Sequence, residues 1–380
     1  MRYSNIPFIF FICIIFSALP LFSQMENSKT QVFDPELNKF ITRQPPATSE
    51  RNLRYTPDGQ DFVITNGKNK FNRALYGTHT GFRVETGDVP EFALYLPRMG
   101  GNLSFLISNK QKMISLNDAA QIECRYRAGT RIYSITDPLL GKGRIVITAL
   151  AMSEAEGMIL RIETKNIPSK TKLSWKFGGV ADKRFSREGD LGVDPIDCFE
   201  LKHEYCKGNV YSINKSAFKV VFGAKQDKKL IGTFPPKSTL AITKGDSPVL
   251  IGNKSIKGNN TFYVAIQIPG KVETLPYDTL AQIFNNSETD RVELASRIKI
   301  NTPDPYFNTL GGTLAVAADG IWSGETWLHG AVGWRMPLSG WRAAYTGDAL
   351  GWHDRARTHF DAYAASQVTN VEPKQPHPTQ

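Results

Sequence analysis

Short segments in which apolar and polar residues alternate follow one another from residue 61 to residue 269. Clear examples are residues 81–85, 121–127 and 261–268. Successive side chains of an extended strand point to opposite faces, so this two-residue period buries one face and leaves the other wet. Gly and Asn-Gly breaks separate the segments, and no helical pattern lies between them. The sequence therefore predicts a large antiparallel β-sandwich, which makes the chain mainly β.

The period changes to that of a helix after Pro276. One or two helical segments are predicted as a linker out of the sandwich. A helix is then predicted to begin at Pro305, with Asp304 as its N-cap, and to end at Gly320. Its apolar face is predicted to consist of Phe307, Leu310, Leu314, Ala317 and Ile321. The pair Gly311-Gly312 lowers helix propensity, which favours close packing against another helix.

A second helix is predicted to start near Asp348, whose carboxylate would cap it, and to end before Pro373. Apolar side chains recur there at helical spacing: Ala349, Trp352, Ala356, Phe360 and Tyr363. The resulting division is a signal peptide (1–23), a lead-in (24–60), the β-sandwich (61–273), a helical linker (274–302), the start of a helical domain (303–372) and a proline-rich tail (373–380).

The first 23 residues carry Arg2 followed by an apolar run from Ile6 to Leu21, which predicts a cleavable secretory signal with cleavage near Ser23–Gln24. The run is short for a bilayer span, so no stable membrane anchor is expected after cleavage. The formal net charge of +10 is scattered along the chain rather than gathered in one motif. The scattered charge leads us to expect no nucleic-acid partner. The signal peptide leads us to expect a secreted or periplasmic protein.

The mature chain would keep three cysteines, Cys124, Cys198 and Cys206. Cys198 and Cys206 are close enough in sequence for a local disulfide, which an oxidising compartment would permit, and the sequence leaves this pairing open. Cys124 is predicted to be buried as a small apolar side chain. No C-x-x-C or His-x-x-x-His spacing occurs, so neither a metal nor a cofactor is expected.

Residues 319–357 hold five of the six tryptophans, together with carboxylates, imidazoles and guanidinium groups. Flat aromatic faces beside such polar groups suit a sugar, whose C–H face stacks on the ring while its hydroxyls take the polar partners. The alternative is ordinary packing at a domain junction. The predicted substrate-binding residues are Trp327, His329, Trp334, Arg335, Trp341, Arg342, Tyr345, Trp352 and His353.

Glycoside hydrolysis needs a pair of carboxyl groups, and Glu325 and Asp348 are the candidates. Glu325 lies between two tryptophans, where apolar surroundings would raise its pKa toward that of a general acid. Arg335 and Arg342 each follow a tryptophan and suit a uronate carboxylate or simple stacking. His329 and His353 are either acid–base groups or histidines fixed by a backbone bond. Fold analogy suggests that Arg73, Tyr76 and His79 face the helical region.

Three stretches carry a family resemblance: residues 66–77, residues 82–97 and residues 327–355. Through them the chain resembles a Bacteroidetes-type family of large secreted proteins from polysaccharide-degrading bacteria, labelled as a domain of unknown function. The resemblance implies the architecture of glycoside hydrolases in which a supersandwich-like β domain precedes an (α/α)6 toroid. It also implies a longer chain, because only the first toroid helices are present before Gln380.

The sequence therefore predicts an exported carbohydrate-active protein that binds an oligosaccharide or polysaccharide, interpreted as the N-terminal part of a glycoside hydrolase. Two alternatives stay open. One is a non-catalytic carbohydrate-binding sandwich, and the other is part of a polysaccharide lyase that uses Tyr345, His329 and an arginine on an acidic glycan. Whether this chain alone is an enzyme, and its oligomeric state, are left open.

Overall fold

A computed structural model describes residues 30–34, 39–43, 53–184, 201–270, 273–330, 335–338, 340–367 and 369. The signal peptide, Cys198, Trp334 and the proline-rich tail lie outside these residues. The chain forms two compact units, Met1–Leu53 and Arg54–Gln380. In the first, β1 (Thr30–Asp34) and β2 (Lys39–Arg43) pair as an antiparallel hairpin. None of the helices among the described residues is long and apolar enough to cross a membrane.

The second unit begins with strands that pair antiparallel throughout the described residues. They are β3 (Thr56–Asp58), β4 (Asp61–Thr65), β5 (Arg73–Leu75), β6 (Arg83–Thr86), β7 (Phe92–Tyr95), β8 (Met99–Ser108), β9 (Met113–Ser115), β10 (Gln121–Arg127), β11 (Thr130–Thr136), β12 (Arg144–Ala151), β13 (Gly157–Val180), β14 (Val210–Asn214), β15 (Ala217–Phe222), β16 (Lys228–Thr233), β17 (Thr239–Ile242) and β18 (Leu250–Gln267). The prediction of a mainly antiparallel β structure is confirmed.

The long strands β13 and β18 join two groups of strands. The first part of β13 pairs with β12, which leads through β11 and β10 to β4 and β3. Its last part pairs with β8, which leads through β7 and β6 to β5. Register shifts between Thr164 and Thr171 separate the two parts. Phe92 of β7 meets Tyr133 of β11 with ring centroids 5.7 Å apart, so the two groups pack face to face over one core.

Alternation along a strand places side chains as the sequence predicts. In β10, Ile122, Cys124 and Tyr126 are buried, while Glu123 and Arg125 lie on the wetter face. Cys124 is fully buried with a free thiol, which confirms its predicted role as a small apolar side chain. Cys206 also carries a free, buried thiol, whose Sγ accepts a hydrogen bond from the Gly179 N–H at 3.1 Å.

Four α-helices follow in the part of the chain that the structure describes: α1 (Leu280–Ala295), α2 (Pro305–Gly320), α3 (Gly340–Ala349) and α4 (His353–Ala365). The predicted limits of α2 are confirmed, and Asp304 Oδ1 accepts from the Tyr306 N–H at 2.8 Å as its N-cap. A Cβ on Gly312 would lie 3.1 Å from the Cβ of Ala295. The glycine pair therefore does allow α2 to pack closely on α1, as predicted. The predicted domain limits stay predictions.

The predicted apolar face of α2 is wrong. Phe307 and Leu314 are 57% and 45% exposed, whereas the buried face carries Thr309, Ala315 and Val316. Small side chains let the helix approach its neighbours more closely than phenylalanine or leucine would, so close packing decided which face turned inward.

The predicted start of a helix at Asp348 is also wrong. Asp348 lies in the last turn of α3, and Trp352 is the residue before α4. Gly351 separates the two helices with φ +73°, a conformation that glycine adopts without steric cost. Asp348 is therefore not an N-cap.

Candidate functional site

Helix α3 presents two aromatic rings and a carboxylate to solvent. Trp341, Tyr345 and Asp348 stand at positions i, i+4 and i+7, which share one face of a helix. Trp341 is 57% and Tyr345 68% exposed. Their ring centroids are 6.1 Å apart and their planes meet at 66°, so the rings form an open corner rather than a flat platform. The Arg342 guanidinium lies 5.1 Å from the centre of the Trp341 ring.

A carboxylate–imidazole pair ends this surface. His353 Nδ1 lies 2.8 Å from Asp348 Oδ1, and both side chains are largely exposed. The carboxylate accepts, so Nδ1 carries the hydrogen, and in the neutral ring Nε2 is left as a proton acceptor. We call the surface of Trp341, Arg342, Tyr345, Asp348 and His353 the α3 face. It combines stacking rings, a cation and a group that can accept a proton.

Three other tryptophans lie beneath α3, in a core of their own. Trp322, Trp327 and Trp352 are 5%, 1% and 7% exposed. The centroid of the Trp327 ring is 4.6 Å from that of Trp322 and 6.5 Å from that of Trp352. A Cβ on Gly347 would come within 2.3 Å of the Trp327 ring, so α3 rests directly on it. This burial argues against the predicted substrate-binding roles of Trp327 and Trp352, because their rings are covered by protein.

His359 anchors this core from α4 and is fully buried. Its Nδ1 accepts from the Trp327 backbone N–H at 3.2 Å, so the neutral ring carries its proton on Nε2. Burial lowers the pKa of His359. The ring is therefore held neutral. No signal in the sequence distinguishes His359, because a histidine inside an apolar helical pattern has no spacing or neighbours that set it apart.

A buried carboxylate joins the helices to the strands. Asp319, in the last turn of α2, is 4% exposed. Its Oδ1 accepts from Arg355 Nη1 at 2.8 Å and lies 3.2 Å from His79 Nε2, while Oδ2 lies 4.0 Å from Arg291 Nη1. Burial works to raise the pKa of Asp319, but the bonds from His79 and Arg355 outweigh it and hold that pKa below its ordinary value. Asp319 is thus an anion that faces two guanidinium groups, those of Arg355 and Arg291, and the imidazole of His79.

Asp319 is not among the predicted site residues, although the sequence carries a signal for it. It is the one charged residue of α2, and it stands at the C-terminal end, where the helix dipole disfavours an anion. A lone aspartate in that position indicates cationic partners from elsewhere.

The prediction that Tyr76 and His79 face the helical region is confirmed. A Cβ on Gly320 would lie 3.1 Å from the Tyr76 ring, and the Tyr76 carbonyl accepts from Arg291 Nη1 at 3.0 Å. Burial raises the pKa of Tyr76 to about 12. Arg73 instead stacks on Tyr126, with its guanidinium 5.1 Å from the ring centre.

Three further predicted site residues precede α3 in the chain: Glu325, His329 and Arg335. Glu325 is exposed on a turn beside Gly324, so the apolar surroundings expected for it are absent. His329 is exposed, and its backbone N–H donates to the Met336 carbonyl at 3.0 Å. Arg335 is half-buried and donates from Nη1 to the Thr80 carbonyl at 3.3 Å, and burial lowers its pKa. The catalytic roles of Glu325 and Asp348 stay predictions.

No metal site is visible in the part of the chain that the structure describes, where no three His, Cys, Asp or Glu side chains are grouped to hold an ion. A groove of about 830 Å³ lies between the turn that joins β10 to β11 and the helices α1 and α2. Arg127, Glu288 and Lys299 line it with smaller apolar and polar side chains, but no aromatic ring does.

A family described as a domain of unknown function (DUF4450) matches residues 96–288, which is just over half of the chain. The chain belongs to the DUF4450 family. The match covers β8 to β18 and the first part of α1. The α3 face therefore lies outside the residues that define DUF4450 membership. None of the curated proteins compared with the chain matches it.

Solved structures that are similar to the chain include carbohydrate-active enzymes. A bacterial glucoamylase complexed with acarbose is 9% identical with a TM-score of 0.47, covering 83% of this chain and 52% of its own. A putative kojibiose phosphorylase from the human microbiome is 11% identical with a TM-score of 0.36, covering 71% and 41%. A family GH92 alpha-mannosidase from Bacteroides thetaiotaomicron, in complex with mannoimidazole, is 11% identical with a TM-score of 0.27, covering 67% and 39%.

The chain thus spans about half the length, or less, of these three solved structures. With every one of these TM-scores below 0.5, the likenesses establish neither a shared fold nor a shared activity.

Proposed function

We propose that this DUF4450 protein is an exported carbohydrate-active protein and that the α3 face binds an oligosaccharide or polysaccharide. The exposed corner of Trp341 and Tyr345 is the observation that carries the proposal. A sugar ring placed in the corner would stack its C–H face on one ring and meet the edge of the other. Exposed aromatic side chains grouped with polar ones mark binding surfaces more often than isolated ones do.

The polar members of the α3 face suit the hydroxyls and acidic groups of such a ligand. The Asp348 carboxylate and Nε2 of the neutral His353 ring offer acceptors for sugar hydroxyls, and Arg342 offers a guanidinium for a uronate carboxylate. The groove of about 830 Å³ has no ring on which a sugar could stack, which favours the α3 face over it.

A finer proposal concerns catalysis by the complete protein. The resemblance described above suggests the N-terminal part of a glycoside hydrolase with a supersandwich-like domain and an (α/α)6 toroid, and Glu325 and Asp348 would be its carboxyl pair. Both side chains are exposed among the described residues. Apolar surroundings are one means by which a general acid keeps its proton near neutral pH, and neither exposed carboxyl group has them. This geometry therefore favours binding over hydrolysis by the described residues.

The bond between Asp348 and His353 favours a second candidate, a polysaccharide lyase. His353 Nε2 would remove the proton beside a uronate carboxylate, the resulting electron pair would form a carbon–carbon double bond, and the glycosidic C–O bond would break. Tyr345 would protonate the leaving oxygen. An unsaturated uronate that absorbs in the ultraviolet identifies this reaction, whereas hydrolysis produces none.

Replacement of Trp341 by alanine tests saccharide binding. Calorimetry with cellohexaose (neutral) and hexagalacturonate (acidic) compares wild type, Trp341→Ala and Phe307→Ala. Phe307 is a matched control, because it is also 57% exposed but lies on α2. We expect Trp341→Ala to weaken the preferred ligand about tenfold, or about 1.4 kcal/mol, and Phe307→Ala to leave it unchanged. Equal affinities in all three proteins would refute the α3 face as the binding surface.

A further inference from the structure

Two arginines, Arg297 and Arg355, contact the turn between α3 and α4. Arg297 donates from Nη1 to the Leu350 carbonyl at 2.8 Å, and its guanidinium lies 5.2 Å from the centre of the Trp352 ring. Arg355 lies 4.5 Å from the centre of the same ring and 5.6 Å from that of Trp322. Trp352 immediately precedes α4, so these contacts set the direction of α4 relative to α3.

Arg355 is itself fixed by Asp319. The 2.8 Å bond between them is buried at the Asp319 end, and the same oxygen also meets His79 from the loop after β5. A planar guanidinium that both bonds a carboxylate and stacks on indole has little freedom to rotate. Loss of the carboxylate charge would free Arg355 to leave the Trp352 ring.

The geometry of the exposed Asp348–His353 pair depends on the turn between α3 and α4. Asp348 lies two residues before Leu350, and His353 directly follows Trp352. The 2.8 Å bond between Asp348 and His353 therefore spans the turn between α3 and α4. Each of the two side chains is more than half exposed, so packing does not hold them together. Their alignment must come from the backbone between them, which the two arginines fix.

We infer that Asp319 is a positioning residue for the α3 face, acting through Arg355 on the Asp348–His353 pair. The inference rests on the proposed function only for its consequence in saccharide binding. Asp319 touches no member of the α3 face among its hydrogen bonds, yet it ties the orientation of that surface to the loop that carries His79. A substitution at buried Asp319 would thus change the geometry of the α3 face through Arg355.

The tautomer of His353 gives a direct readout. In full-length protein labelled with 15N-histidine, the bond to Asp348 should select the Nδ1–H tautomer. We expect Asp319→Asn to shift His353 toward a mixture of tautomers. Asp361→Asn, which removes an exposed carboxylate from α4, should leave it unchanged. A loss of global stability that leaves the protein folded would not alter this signal. An unchanged His353 spectrum in folded Asp319→Asn would overturn the inference.

Saccharide affinity is the second measurement, with the same two hexasaccharides. We expect Asp319→Asn to weaken binding by about 2- to 30-fold, the range found for substitutions that modulate coupling between sites. Arg355→Lys keeps the charge opposite Asp319 but loses the planar stacking, so it should weaken binding similarly. If Asp319→Asn fails to fold, Arg355→Lys decides, and wild-type affinity there would contradict the route through Arg355. If neither saccharide binds wild type, the proposed ligand fails while the histidine spectra still test the positioning.

Discussion

Replacing Gly347 by alanine should destabilise the helical part of the protein, against the usual effect of that substitution in a helix. A Cβ on Gly347 would lie 2.3 Å from Cη2 of Trp327 and 3.0 Å from two other ring atoms. Carbon atoms in contact are ordinarily about 3.5–4.0 Å apart, so the ring or the helix would have to move by more than about 1 Å.

The sign of the effect depends on two opposing contributions. Alanine is favoured over glycine in a helix interior by about 1 kcal/mol. An added methyl group in a well-packed core costs about 1–3 kcal/mol. The Trp327 ring has little room to yield, because the rings of Trp322 and His359 lie 4.6 Å and 5.6 Å from it, centre to centre. We therefore expect the upper end of that cost and a net loss of about 2 kcal/mol in the free energy of unfolding.

Urea denaturation followed by tryptophan fluorescence measures the loss. Gly340→Ala is the control in the same helix, since its Cβ would approach no atom closer than 3.7 Å and should leave stability unchanged or slightly improved. If Gly347→Ala proves as stable as wild type, α3 does not rest on Trp327 as described, and the reasoning about the core beneath the α3 face fails.

Two further predictions concern a buried imidazole and the N-terminus. The pKa of His359 is lowered in the folded state from 6.5, so its stabilising contribution is complete above about pH 6.5 and is lost as the pH falls through the lowered value. The free energy of unfolding measured from pH 7.5 to 5 should lose part of its slope in His359→Gln, and an unchanged slope would contradict this. Export predicts a mature N-terminus at Gln24 in the periplasm or medium of a Gram-negative host, whereas a cytoplasmic product that keeps Met1 would refute it.

The sequence predicted the strands of the β part better than their connections. Alternation in β10 was sufficient, because each buried residue there is flanked by more exposed ones. Residues 158–163 and 173–177 each show a strand pattern of their own, yet both belong to β13. Asn166, at φ +52°, and Lys170, at φ +77°, give the local signals of turns. The hydrogen bonds to β18 nevertheless resume beyond them, and only the partner strand could reveal that.

The candidate site was harder to predict because burial of a tryptophan is decided by tertiary packing. Trp327 and Trp341 both lie in glycine-rich surroundings, but one is 1% and the other 57% exposed. The high density of tryptophans in residues 319–357 indicates an unusual region, but it does not show which rings are buried and which are exposed. The exposure of Trp341 follows from the helical register of α3, a helix that the sequence did not predict because it placed the start of a helix at Asp348.

The inner and outer surfaces of α3 are set by the same ten residues. The inner surface consists of Ala343, Ala344 and Gly347, and these small residues let the helix descend onto the buried tryptophans. The distance of Trp341 and Tyr345 from that core therefore depends on Ala343, Ala344 and Gly347, which are buried beneath them. Since packed cores shift rather than compress, enlarging an inner residue displaces the whole helix. Selection for a particular ligand at the α3 face would then act on the glycine and alanines as strongly as on the exposed rings.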